Sequence, residues 1–279
     1  MEDKQQFPGF LDLLKSSWNI YKANLKLFLG LVGLFAVSSV LIVILAVVLA
    51  GLFALTKLTI IIAVVVIVLL IAIVAIQIWF QLSLLIATKF IVDKGEVGPF
   101  SNLSREARPL ILPMAGISLI SLFLTTGGLI LFILPGILFS IWFSFAVYIL
   151  VDEGRYGFST LLASRDYIKG NVIKVLIRWF LFGIVTWLAT GLVPIISERF
   201  NLEWLGSIYS IVAGLAIAPL STIFGFLLFR AVKAQRPGLE PDLSRSRKIK
   251  YTGMAILGYV LIIALILFLA TSLYRSPLL

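Results

Sequence analysis

Residues 58–88 read LTIIIAVVVIVLLIAIVAIQIWFQLSLLIAT, and no charged side chain interrupts them. At about 1.5 Å per residue, a helix of this length extends about 46 Å, whereas the hydrocarbon core of a bilayer is about 30 Å thick. The stretch therefore predicts a transmembrane helix that is tilted or emerges from the membrane. Gln77, Trp79 and Gln81 favour emergence of its C-terminal end into the headgroup layer.

The rest of the chain repeats this pattern. Further charge-free tracts cover 27–56, 109–151, 179–197, 204–229 and 251–274. Apolar residues make up 61% of the 279 residues and charged residues 13%, whereas soluble domains are about 45–50% apolar and about 25% charged. The sequence predicts an all-α fold, a polytopic transmembrane helical bundle of about seven spans in one integral membrane domain, 1–279.

The predicted spans are 27–54, 58–88, 109–126, 129–151, 174–197, 204–230 and 251–274. A tight turn at Lys57 joins the first two. The tract 109–151 is too long for one crossing, and a turn at Thr125–Gly128 divides it into two arms of sufficient length. Pro135 then lies within or at the start of the second arm, where it predicts a kink.

Two short interfacial helices are also predicted. Residues 1–26 contain charges and no continuous apolar core, so they do not resemble a signal peptide. From Phe10 to Lys26, apolar residues fall on one helical arc and basic residues on the opposite one, which is typical of a helix lying in the membrane interface. A second interfacial helix is expected at about 159–169, after Gly154 ends the fourth span in a left-handed conformation.

The basic residues orient the spans. All 23 lysines and arginines except Lys57, Arg199 and Arg275 fall on one side of the seven-span arrangement, including those of the 233–250 loop. Because positive loops stay in the cytoplasm, the N-terminus is predicted to be cytoplasmic and the C-terminus outside. The net charge of +10 is explained by this bias, so nucleic acid is not expected as a partner.

Several kinds of chemistry are excluded by composition. The chain has no histidine and no cysteine, which excludes histidine-ligated metals, serine–histidine triads, thiol nucleophiles and disulfides. No phosphate-binding or dinucleotide-binding glycine motif occurs. We expect no catalytic residues, no cofactor, no metal and no enzymatic activity.

One side of the sixth span carries small residues at every fourth position. These residues are Gly206, Ser210, Gly214, Ala218 and Thr222. Small residues at this spacing allow close approach of another helix or of a second protomer, although they are also common in membrane helices generally.

Three basic groups are candidate contacts for anionic lipid headgroups. They are Lys15, Lys22 and Lys26; Arg165 and Lys169; and Arg245, Arg247, Lys248 and Lys250. Arg165 and Lys169 are expected to share a helix face from which both reach phosphates. The alternative is that they pair with Asp152, Glu153 or Asp166 and only fix the loop.

A longer motif covers the fourth span and the segment after it. It consists of Leu134-Pro135-Gly136-Ile137, Trp142, Tyr148, Val151-Asp152-Glu153-Gly154, Leu161, Ser164-Arg165 and Lys169-Gly170-Asn171. The motif resembles a family of prokaryotic integral membrane proteins similar to the membrane domain joined to some glycerophosphodiester phosphodiesterases. The resemblance implies a location in the cytoplasmic membrane of a prokaryote. It does not imply phosphodiesterase activity, which in such fusions belongs to a separate soluble barrel.

Three functional classes remain open. The first is a non-catalytic protein of membrane organisation or lipid handling, alone, as a homo-oligomer or with a membrane protein partner. The second is a transporter or permease for a neutral or lipid-like solute. Transporters usually place ionisable groups near the midplane, and the charge-free tracts place none there, which counts against this class. Polar side chains that can still line a path for a neutral solute are Gln77, Ser118, Ser121, Thr186 and Thr190. The third is an enzyme that acts on headgroups through acids such as Asp152 and Glu153.

Overall fold

The chain folds into α-helices in this computed structural model, which describes residues 7–54, 59–97 and 100–275. The helices are α1 (Phe10–Ala23), α2 (Leu25–Ala54), α3 (Thr59–Lys94), α4 (Phe100–Ala107), α5 (Ile111–Leu131), α6 (Ile133–Phe143), α7 (Ala146–Glu153), α8 (Phe158–Ile168), α9 (Val172–Arg199), α10 (Glu203–Ala234) and α11 (Arg245–Arg275). A short 3₁₀ turn at Arg108–Leu110 connects α4 to α5. The described residues contain no strand, so the all-α prediction is confirmed.

Within the described residues, six segments are long and apolar enough to cross a membrane. They are Leu25–Leu49, Val64–Lys94, Phe100–Leu131, Ile133–Glu153, Val172–Arg199 and Glu203–Ala234. Large apolar side chains along α2 and α3 remain exposed, as expected where the surrounding solvent is lipid. The predicted seventh span, 251–274, lies within α11, a helix of 31 residues that is not among these six segments, so the count of seven stays a prediction. The turn predicted at Lys57 lies outside the described residues.

The helices group into two compact units. The first unit consists of described residues in 113–177 and 232–275, and it contains α6, α7, α8, α11 and most of α5. The second consists of described residues in 7–112 and 178–231, and it contains α1 to α4 with most of α9 and α10. Each unit combines segments that are far apart in the sequence, which explains why composition shows no boundary between them.

The connection within 109–151 differs from the prediction. Helix α5 continues through Thr125–Gly128, and the chain reverses at Phe132, whose backbone is extended (φ −158°, ψ 149°). The two glycines serve packing instead of a turn: a Cβ on Gly127 would lie 2.7 Å from the Cα of Ala255 in α11. Pro135 falls in the first turn of α6, where its missing amide leaves no helical hydrogen bond unmade.

The fourth predicted span corresponds to two helices, α6 and α7, and Ser144 and Phe145 form the break between them. The backbone N–H of Phe145 is satisfied at this break, because it donates to Ser164 Oγ of α8 at 3.1 Å. Helix α7 ends at Gly154 with φ +65°, so the predicted left-handed termination is confirmed. Ser164 thus fixes α8 against the interrupted span.

The second predicted interfacial helix is present as α8. Most of α8 is buried, including Leu161, Leu162 and Asp166, and the helix packs against α6 and α7. These neighbouring helices cover polar as well as apolar positions of α8. Its position at the membrane interface stays a prediction.

Helix α1 extends over nearly the predicted residues and is anchored in the second unit. Arg178 of α9 donates to the Pro8 carbonyl oxygen at 2.5 and 3.1 Å, just before α1 begins. The Phe10 ring packs edge-to-face on Phe224 with centroids 5.9 Å apart. Leu13 and Tyr21 are buried, whereas Leu11 and Trp18 of the predicted apolar arc are exposed. Its position in the membrane interface stays a prediction.

Candidate functional site

A buried carboxylate organises one end of the first unit. Asp166, near the C-terminus of α8, is only 6% exposed. Arg247 Nη1 donates to its two carboxylate oxygens at 2.8 and 2.9 Å, and Arg165 Nη1 donates to one of them at 2.9 Å. The backbone N–H of Asp242 donates to the other at 3.0 Å. We call these four residues the Asp166 cluster. The charge of Asp166 is compensated by two cations, as burial requires.

Arg236 completes the end of α8. Its Nη1 donates to the Asp166 carbonyl oxygen at 2.8 Å, and its Nη2 donates to the Lys169 carbonyl oxygen. The first oxygen belongs to the last turn of α8 and the second to the residue that follows the helix, and the last carbonyls of a helix have no partner within it. Gly170 follows with φ +86° and redirects the chain toward α9. Arg236 thus stabilises the helix terminus through backbone contacts that no local sequence motif indicates.

A second group, the Glu153 cluster, contains Asp152, Glu153, Arg155, Tyr167 and Lys233. Lys233 Nζ lies 2.7 Å from Asp152 Oδ2 and 2.9 Å from Glu153 Oε1. Arg155 donates to Glu153 Oε2 at 2.8 Å, and the Tyr167 hydroxyl donates to Oε1 at 2.7 Å. Burial and the hydrogen bond to Glu153 raise the pKa of the Tyr167 phenol above its ordinary value. Both acids are thus engaged by neighbouring cations and donors.

These contacts separate the predicted lipid-contacting residues into two kinds. Arg165 and Arg247 are held in ion pairs with Asp166, and the Arg165 guanidinium also lies 5.5 Å from the centroid of the Trp142 ring. Lys169 does not share a helix face with Arg165, because it follows the last residue of α8 and its backbone is extended (φ −51°, ψ 124°). Of the two roles considered for Arg165, lipid contact and ion pairing, the structure shows ion pairing with Asp166.

The remaining candidates are accessible. Lys15 and Lys22 on α1, Lys26 at the start of α2, and Arg245 and Lys250 on α11 are exposed, and Lys248 is half-buried. In the described part of the chain, no carboxylate oxygen lies within 4 Å of Arg245 or Lys248. These cations therefore differ from Arg165 and Arg247, whose charge is already compensated.

Two of the accessible cations line a groove at the start of α11, which we call the α11 groove. Its volume is about 410 Å³, and it is lined by Arg245, Lys248, Ile249, Thr252, Gly253 and Ile256. Arg245, Lys248, Thr252 and Ile256 are spaced three or four residues apart and so follow one face of the helix. The groove thus has cationic side chains at the start of α11 and an apolar surface one to two turns further along the same helix.

The small residues of α10 have different surroundings. Ser197 and Pro194 of α9 contact Gly206, where a Cβ would lie 2.9 Å from the Pro194 Cα. Ser210 Oγ lies 3.4 Å from the Thr190 carbonyl oxygen, also in α9. Gly214 has no atom within 4 Å of the position of a Cβ, so it does not contribute to packing against another helix of the described chain. Ala218 and Thr222 line a cavity in the second unit.

No candidate metal site is present in the residues that the structure describes, since they contain no group of three or more acidic side chains that could hold an ion. The class defined by these features is a multi-pass helical membrane protein with a charged network at one end of its first unit. No family model, curated protein or solved structure matches the chain. The resemblance to the membrane domain associated with glycerophosphodiester phosphodiesterases stays a prediction.

Proposed function

We propose that the protein is a non-catalytic membrane protein that handles lipid by binding anionic phospholipid in the α11 groove. The observation that carries the proposal is a pair of cations, Arg245 and Lys248, that have no carboxylate partner among the described residues and lie next to an apolar surface. In this proposal the phosphate of the phospholipid contacts Arg245 and Lys248, and an acyl chain lies along Ile249, Gly253 and Ile256. Long basic side chains suit this role because their stems cover apolar surface while the charge reaches the headgroup.

The energetics favour groups of cations over single residues. Each basic residue near an anionic surface contributes about 1 kcal/mol, and salt screens part of this attraction. Lys15, Lys22 and Lys26 are exposed and add a second cationic surface at α1. The network of Asp152, Glu153 and Asp166 supports this function indirectly, because it holds α7, α8 and the start of α11 in place. Its acids are paired, which is why we favour lipid handling over headgroup chemistry.

The lipid test replaces the two groove cations. The variant Arg245→Gln/Lys248→Gln is expected to lower the affinity for phosphatidylglycerol by about 5- to 30-fold, because two contacts of about 1 kcal/mol at most are lost. Native mass spectrometry of the protein with equal amounts of phosphatidylglycerol and phosphatidylcholine measures the ratio of bound lipids. The amount of bound phosphatidylcholine should not change.

Arg165→Gln is the matched control, because it removes a cation that is already paired with Asp166. This variant is expected to lower thermal stability and to leave the ratio of bound lipids unchanged. An unchanged ratio in Arg245→Gln/Lys248→Gln, or an equal loss in Arg165→Gln, would contradict binding in the α11 groove.

The proposed setting is the cytoplasmic membrane of a prokaryote, with the charged network facing the cytoplasm. The asymmetry of the 23 basic residues supports this orientation. A reporter enzyme active only outside the cytoplasm is expected to be silent when fused near Ser101, Gly157 or Leu243. It is expected to be active near Leu202 or after Leu279. Activity at Leu243 would refute the seven-span topology.

The second candidate function is a permease for a neutral or lipid-like solute. The observation that favours it is a cavity lined by uncharged polar side chains of α3 and α10, which shares no lining residue with the α11 groove. Uptake of a neutral solute into proteoliposomes tests this function directly. We place it second because a cavity shows where a solute can bind but no path across the membrane.

A further inference from the structure

Two glutamines lie midway along the third helix. The sequence predicts that Gln77 and Gln81 lie near the end of a span and emerge among headgroups. In the structure α3 continues to Lys94, and both residues lie near the middle of Val64–Lys94, a segment long and apolar enough to cross a membrane. They are one helical turn apart and therefore share a face.

These glutamines border a cavity inside the second unit. Its volume is about 320 Å³, at the lower end of the range of small-molecule sites. Ser221 and Thr222 of α10 line it together with the glutamines, and Phe35 and Phe80 form an aromatic side with rings stacked at 4.4 Å. The cavity therefore combines amide and hydroxyl groups with an apolar surface suited to an uncharged molecule.

The amides have no hydrogen-bond partner among the residues that the structure describes. In the described residues neither Gln77 nor Gln81 makes a side-chain hydrogen bond, and both side chains are exposed. Thr222 differs, because its hydroxyl already donates to the Ala218 carbonyl oxygen at 3.1 Å. An unpaired amide that faces hydrocarbon is costly, since hydrocarbon offers neither donors nor acceptors. A molecule that satisfies both amides would remove this cost.

The charge of the lining restricts the ligand. No lysine, arginine, aspartate or glutamate lines this cavity, so an ion would be desolvated there without a counter-charge. An amide offers both donors and an acceptor, so it matches hydroxyl and ester groups equally well. The lining thus fits a neutral molecule that both donates and accepts hydrogen bonds.

We propose that this cavity is a binding site within the membrane for a neutral, hydroxyl-bearing molecule, oriented by the amides of Gln77 and Gln81. The hydroxyl group can be carried by an uncharged lipid that enters from the bilayer or by a small solute that enters from water. The site shares no lining residue with the α11 groove, and it requires no anionic headgroup.

The test uses the full-length protein in detergent, with monoolein as the lipid probe and erythritol as the water-soluble probe. Native mass spectrometry measures bound monoolein, and the thermal shift measures stabilisation by erythritol. We expect Gln77→Leu/Gln81→Leu to reduce binding of the effective probe at least tenfold. The fold is expected to survive, because leucine is tolerated at lipid depth better than an unpaired amide.

Thr186→Val is the control for removal of a polar group at a span position outside the cavity, because the Thr186 hydroxyl already bonds to Gly183 of its own helix. It should leave binding of both probes unchanged. If monoolein binding is lost when the glutamines are replaced, the ligand is a lipid that enters from the bilayer. If stabilisation by erythritol is lost instead, the ligand is a solute that enters from water. If neither probe binds, or if the double variant binds as well as the wild type, the proposal is refuted.

The oligomeric state tests whether the two amides pair between protomers instead of binding a ligand. If Gln77→Leu/Gln81→Leu abolishes a dimer and leaves probe binding intact, the amides pair between protomers and the proposal is refuted. If Arg245→Gln/Lys248→Gln loses anionic lipid but still binds the probe, the cavity at Gln77 and Gln81 does not depend on the α11 groove. The two proposals can therefore fail separately.

Discussion

Replacing Asp166 with asparagine is expected to lower the thermal midpoint of the purified protein by roughly 6–12 °C. The substitution preserves size but removes the charge that compensates Arg247 and Arg165. Breaking a buried ion pair costs about 3–5 kcal/mol, and we expect about 3 kcal/mol because water reaches part of the Arg247 side chain. About 3 kcal/mol corresponds to that shift for a chain of this size. Loss of monodispersity on heating in detergent provides the measurement.

Asp242→Asn is the matched control. Asp242 also contacts Arg247, with its carboxylate oxygen 2.9 Å from Nε, but its side chain is 52% exposed. Exposed ion pairs contribute about 0–1 kcal/mol, so this variant should shift the midpoint by less than about 4 °C. Equal shifts for the two variants would contradict a special role for the buried carboxylate.

Gly127→Leu is expected to prevent correct packing of α5 against α11. A Cβ at this position would lie 2.7 Å from both the Cα and the carbonyl oxygen of Ala255, and backbone atoms cannot rotate away. Overpacking usually costs about 1–3 kcal/mol where side chains can adjust, so a contact with backbone should exceed this range. Size-exclusion chromatography should show aggregation or loss of the folded species.

The same helix provides a control for this prediction. Gly116 also lies in α5, and no atom is within 4 Å of the position that its Cβ would occupy. Gly116→Leu should therefore leave the elution profile and the thermal midpoint close to those of the wild type. A folded, monodisperse Gly127→Leu protein would refute the close approach of α5 and α11.

The sequence was most informative where one segment determines its own structure. Charge-free tracts predict membrane helices because the cost of exposing backbone polar groups to lipid leaves few other structures. The second predicted interfacial helix, 159–169, corresponds to α8 at Phe158–Ile168, and Gly154 ends α7 as expected. These features depend on hydropathy and backbone conformation, which are local properties.

The turn predicted at Thr125–Gly128 was wrong because glycine occurs both in turns and where helices pack closely. The Gly127–Gly128 pair is typical of a turn, but the structure uses its lack of side chains for close packing against α11 and α6. A Cβ on Gly136 would lie 2.6 Å from the Leu129 backbone nitrogen, which shows how closely α5 and α6 approach each other. Such contacts depend on which helices meet, and sequence spacing does not specify that.

The charged network shows most clearly which features follow from the sequence alone and which depend on the tertiary structure. The sequence by itself determined that this is a helical membrane protein and that its charges are grouped outside the apolar segments, because charge is too costly in hydrocarbon. Only the tertiary structure decided that Arg247 pairs with Asp166 and Lys233 with Asp152 and Glu153. It also decided that Arg245 and Lys248 have no carboxylate partner among the described residues. These partners are distant in sequence, and identical side chains pair or remain accessible according to the helix that packs beside them.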